Sequence, residues 1–184
     1  TDCPISKKFR TMTCRLTLCF LILAACQTGH GMESPVAAEI VNVPDERRDW
    51  GMPIGNVRVR FANGRREMWT RQGRCLLVRR SASGLVGWSR YTSRNLHDEP
   101  VNNILRVMIA PERWMDFQAG SFIQAWDFAE NDTSVVVHSA GRHGPGTVLR
   151  FSLKTGNQTG SARVGAPAAK LPAWAQAYAG DRNR

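Results

Sequence analysis

FIQAWDFAENDTSVVVHSAGRHGPGTVLRFSLKTGNQTG, residues 122–160, is a succession of short apolar runs cut by turn residues. Residues 122–128 and 134–139 are rich in Val, Phe and Trp, and Asn131-Asp132 breaks them apart. Side chains alternate between the two faces of a strand, so such runs predict strands joined by tight turns. A third run begins at Val148 and ends at Lys154-Thr155-Gly156. Upstream the same grammar recurs, with turn dipeptides at Asn63-Gly64, Gln72-Gly73 and Ser83-Gly84 and strand-like runs at 75–80 and 85–92. No helical period lasts long enough to compete before the C-terminus. The expected fold class is all-β, an antiparallel meander closed by a short C-terminal helix.

The runs repeat. NVRVRFANGRREMWT (56–70), ILRVMIAPERWMDFQA (104–119) and VLRFSLKTGNQTGSA (148–162) each read as a strand, a tight turn and a second short strand. Val57-Arg58, Leu105-Arg106 and Leu149-Arg150 fall in register, 48 and then 44 residues apart. With the runs between them, that makes four strands per period of about 45 residues. The unit at 122–160 resembles a blade of the TolB-like or WD40-like β-propellers, through its aromatic strand before Asn131-Asp132, its apolar run Val135-Val136-Val137 and its strand ending in Lys154-Thr155-Gly156. The resemblance implies about 2.5 propeller-blade-like repeats. A propeller ring needs at least four or so blades, which leaves an open barrel or partial propeller, or a ring completed by several chains.

Toward the other end, KKFRTMTCRLTLCFLILAAC (7–26) places a basic stretch before an apolar run at 16–25. Roughly ten apolar residues make the core of an export signal, about half of what a bilayer span needs. The run ends in Leu23-Ala24-Ala25-Cys26, which resembles the bacterial lipobox. The resemblance implies cleavage before Cys26, a diacylglyceryl thioether on its sulfur and acylation (such as palmitate) of its new amine. Two or three acyl chains anchor stably where one would exchange. Gln27, in place of Asp, is the pattern of lipoproteins passed to the outer membrane, facing the periplasm. Met12 is a candidate start within this leader. The expected organisation is a signal peptide at 1–25, a lipidated tether at 26–35 and a single β-rich domain at 36–184. After the signal and the lipidated Cys26, Cys75 alone remains, so no internal disulfide is expected. Its setting in Cys75-Leu76-Leu77-Val78 is that of a small buried hydrophobe.

Of the formal charge of +10, residues 1–25 carry four cations against Asp2, which leaves +7 for the rest. There every cation but Lys154 and Lys170 is arginine. The planar guanidinium fork suits phosphate and carboxylate. For an exported chain the partners to expect are the membrane, an envelope protein or an anionic envelope polymer, and not nucleic acid. If the repeat is structural, Arg58, Arg106 and Arg150 occupy equivalent places and are candidates for an anion-binding face. The alternative for them is the solvated side of alternating strands.

Catalytic signatures are missing: no Gly-x-Ser-x-Gly, phosphate loop or paired carboxylates occur. Ser139 neighbours His138, but adjacent strand residues point to opposite faces. A non-catalytic chain without a cofactor is therefore expected. The alternative is a small-ligand or metal-binding domain, with His138 and His143 flanking a glycine-rich loop and a carboxylate such as Asp127 as third donor. The tail KLPAWAQAYAGDRNR reads as one short helix, Pro172 in its first turn and Gly180 past its end, with Trp174 and Tyr178 on one face.

Overall fold

A computed structural model describes residues 33–42, 53–110, 112–120, 122–141, 146–165 and 167–178, all within the compact unit Glu33–Arg184. Among them are eleven strands: β1 (Ala37–Asn42), β2 (Gly55–Arg60), β3 (Arg66–Met68), β4 (Cys75–Arg80), β5 (Val86–Arg94), β6 (Pro100–Ala110), β7 (Arg113–Gln118), β8 (Phe122–Ala129), β9 (Ser134–Ala140), β10 (Thr147–Ser152) and β11 (Gln158–Arg163). Every pairing is antiparallel. The fold is all-β, as the alternation predicts, and neither sheet closes into a barrel.

Seven strands make the first sheet, in the order β1-β2-β4-β5-β6-β7 with β3 beside β2. The second is the meander β11-β10-β9-β8, drawn from the stretch quoted first. The segments 56–70, 104–119 and 148–162 form the hairpins β2–β3, β6–β7 and β10–β11. Strands upstream of β8 do not divide into fours; they share one sheet, because β5 pairs with β6 along most of its length. The turns follow their chemistry. Gly64 sits at φ +84°, which its missing Cβ tolerates, and its N–H reaches the Phe61 carbonyl at 3.0 Å.

A core fills the space between the sheets. Leu105, Val107 and Phe117 of the first meet Ile123, Trp126, Val135, Val137 and Phe151 of the second. Trp126 donates its indole N–H to the Leu77 carbonyl at 2.6 Å. Gly87 makes room for it, since a Cβ there would lie 2.6 Å from the Trp126 ring. The opposite face of the first sheet gathers a second cluster of Val57, Val59, Phe61, Cys75, Val86 and Trp88. The outer face of the second sheet carries a third, Val136 and Val148, covered by Leu171, Ala175, Trp174 and Tyr178. β9 is thus buried on both sides, which explains its unbroken Val135-Val136-Val137.

The C-terminal segment departs from the single helix expected of it. It forms two 3-10 stretches, Ala168–Lys170 and Ala173–Tyr178, whose bonds run i to i+3, as from Ala175 N–H to the Pro172 carbonyl at 2.8 Å. The segment is set by packing on the sheet, through Leu171, Ala175, Trp174 and Tyr178. Gly180 and the rest of the tail lie outside the described residues, as does Cys26. Among the described residues no helix is long and apolar enough to cross a membrane.

Candidate functional site: an arginine-lined cleft

The link from β3 to β4 is a turn of polar and cationic residues, Thr70-Arg71-Gln72-Gly73-Arg74. It is pinned at its base. The Thr70 hydroxyl oxygen accepts the Val57 N–H at 2.8 Å, and the Asn56 side-chain oxygen accepts the Gly73 N–H, also at 2.8 Å. Trp69 N–H donates to the Val57 carbonyl at 2.9 Å. The turn is thereby held against the strand face that carries Cys75, Trp88, Arg90 and Arg106, and a cleft of about 440 Å3 opens between them. Trp69, Tyr91 and Thr92 complete its lining.

Four guanidiniums line this cleft: Arg71, Arg74, Arg90 and Arg106. Among the described residues one carboxylate pairs with them. Asp116 accepts both Arg106 bonds, at 2.6 and 2.7 Å, and lies 3.7 Å from Arg90. Arg106 also stacks on Trp114, 4.7 Å from its ring centre, and Trp114 is 48% exposed. Arg74 lies 5.7 Å from the centre of the Tyr91 ring. Arg71 and Arg74 are exposed and make no ion pair among the described residues. The Arg90 Nε is buried with no hydrogen-bond partner there. A buried donor without an acceptor is costly; the cations open to an incoming oxyanion are the exposed Arg71 and Arg74. Cys75 forms part of the wall. Burial pushes its thiol up from the ordinary range, with a weaker opposing pull from its bond to Thr70.

Sequence spacing singled out Arg58, Arg106 and Arg150, and only Arg106 lines the cleft. Arg58 points away from the second cluster and donates to Glu39 across the β1–β2 pair at 3.0 Å. Arg150 belongs to the second sheet, where it donates to Glu130 at 2.6 Å and lies 5.3 Å over Trp174. The three guanidiniums do not meet on one face. Each is matched to a carboxylate, Glu39, Asp116 or Glu130, as on the charged side of strands. Arg71, Arg74 and Arg90 are the residues that spacing missed. The signal for two of them is a turn, Arg-Gln-Gly-Arg, that places a cation on either side of its glycine.

Asp127 and His138 do share the outer face of the second sheet, since Asp127 pairs with Val136 and His138 with Ala125. His138 is 4% exposed, its ring 5.6 Å from that of Tyr178, and a Cβ on Gly146 would collide with its Nε2. Burial raises the Tyr178 hydroxyl's pKa, helped by Asp127 and opposed by Arg79. His143 lies outside the described residues, and among those described no three metal-binding side chains gather. Ser139 turns to the other face of β9, paired with Ile123.

No protein-family model matches the chain, and no curated protein is significantly similar to it.

Proposed function

We propose that this chain is a non-catalytic binding module of the bacterial cell envelope, anchored by lipid on Cys26, whose β-domain engages an anionic protein or envelope polymer. One observation carries the binding half: four guanidiniums line a concave site, and among the described residues Asp116 alone pairs with any of them. Arginine forks grip carboxylate and phosphate through paired N–H bonds, and a net positive cleft raises the local concentration of anions before contact. Leu23-Ala24-Ala25-Cys26 directly after an apolar run supports the anchoring half. Glu33 and Pro35 are held against the β-domain, accepting from Asn63 and Arg80, so of the tether expected at 26–35 the stretch of small and polar residues 27–32 would give the module its reach beyond the headgroups.

The test is a cross-linking pull-down from native envelopes with tagged full-length protein, run beside Cys26→Ala and combined with metabolic labelling by an alkyne fatty acid. The expected result is lipid label on the wild type alone and an anionic partner that is lost with the anchor. Equal labelling of the variant would remove the anchor. Recovery of no specific partner from either form would remove the binding module.

A further inference from the structure

The cleft's shape narrows its partner further. Resting on the reading of the cleft as an anion site, we infer that its ligand is an acidic sugar of an envelope glycan and not the acidic face of a protein. Concavity comes first. A hollow of about 440 Å3 lies in the range of clefts that take small molecules or single residues of a polymer. A stable protein contact instead covers roughly 800 Å2 per partner on a broad surface.

The lining is mixed in the way a charged sugar needs. Trp69, half-buried, offers an aromatic surface against which the C–H face of a pyranose packs. Gln72 and Thr92, both exposed, present groups that can donate to and accept from ring hydroxyls. The cations are divided in role. Arg106 is bonded to Asp116, which also lies 3.7 Å from Arg90, whereas the exposed Arg71 and Arg74 have no carboxylate among the described residues. One oxyanion held by Arg71 or Arg74 gives these unmatched cations their counter-charge. Carboxylate and phosphate share that chemistry, so the acid group is defined as an oxyanion on a sugar ring.

The experiment is isothermal titration calorimetry of the full chain in detergent at low salt. The probes are trigalacturonate, glucose 6-phosphate, citrate, poly-L-glutamate and a neutral dextran oligosaccharide. Saturable binding of trigalacturonate or glucose 6-phosphate is expected, at least about tenfold tighter than citrate, poly-L-glutamate or dextran. Whichever of the two sugars binds identifies the acid group. The Arg71→Ala/Arg74→Ala variant, altered only at exposed side chains, should weaken that binding at least about tenfold with an unchanged unfolding midpoint. Citrate or poly-L-glutamate binding as tightly as the sugars would overturn the glycan while leaving the anion site in place. Absence of saturable binding by every anion, or binding indifferent to the double variant, would overturn the site itself.

Discussion

Asp132 joins two sheets with one carboxylate. Its Oδ2 accepts the N–H of Ser83, which lies in the β4–β5 turn of the first sheet, at 2.9 Å. It does so from a turn, Glu130-Asn131-Asp132, in which all three residues have positive φ without being glycine, a conformation held only where side-chain bonds repay it. Desolvation alone would push this carboxyl up. The Ser83 N–H and hydroxyl, the Ser81 hydroxyl and the Arg80 charge outweigh that and hold it below the ordinary 3.8. A depressed folded pKa gives stability that is full above the unfolded value and disappears as pH falls through the folded one. Asp132→Asn should therefore lower the urea midpoint at pH 7, and the gap to wild type should narrow as pH falls below the ordinary 3.8. A gap that persists in acid would assign the effect to shape instead of charge. Cys75 makes a second expectation, because a thiol raised by burial reacts slowly. Iodoacetamide followed by peptide mass mapping should leave Cys75 unlabelled in the folded chain and label it in denaturant. Its burial was legible from its apolar neighbours. The cleft arginines were not, since spacing along a strand fixes register but not which face or which sheet a residue joins, and Arg58, Arg106 and Arg150 ended on three different surfaces.

At the scale of elements, the C-terminal 3-10 segment replaces a third layer. It lies over Val136 and Val148 through Leu171, Ala175, Trp174 and Tyr178, and Gly160 of β11 receives the Trp174 ring. A Cβ at Gly160 would stand 2.7 Å from that ring. Gly160→Val is expected to cost about 1–3 kcal/mol through overpacking and to shift tryptophan emission to the red. In a Trp174→Ala background the same substitution should cost little, because the clash has gone and the two changes are coupled. Equal cost in both backgrounds would place the effect in the β10–β11 bulge instead. Turn dipeptides and alternation made the hairpins legible in the sequence. The choice of helix type was not, because spacing puts Trp174 and Tyr178 together in an α-helix, whereas packing on the sheet beneath holds the 3-10 form. The grouping of strands into seven and four was equally silent. It depends on where pairing stops between β7 and β8, and no residue type announces that.

For the molecule as a whole, the question is whether two sheets behave as one cooperative unit. The β7–β8 link is short, and the sheets share the cluster around Trp126. Trp126 reaches from β8 to the Leu77 carbonyl of β4, while Asn102 of β6 donates to the Ile123 carbonyl of β8 at 3.0 Å. Trp126→Ala should cost about 3–5 kcal/mol, the usual range for removing a buried aromatic, a large part of the roughly 5–15 kcal/mol available to a domain. Trp126→Phe keeps most of the packing and forfeits the indole donor, leaving the Leu77 carbonyl short of a partner, so about 1–3 kcal/mol is expected. Urea unfolding followed by far-ultraviolet and near-ultraviolet circular dichroism should give coincident transitions in the wild type and in Trp126→Phe. If Trp126→Ala instead splits the two signals, the sheets fold separately once the bridge is cut, and the cooperativity resides in that one side chain. If it lowers a single transition without splitting it, the burial spread over Leu105, Val107, Phe117, Val135 and Val137 is enough to keep the sheets together.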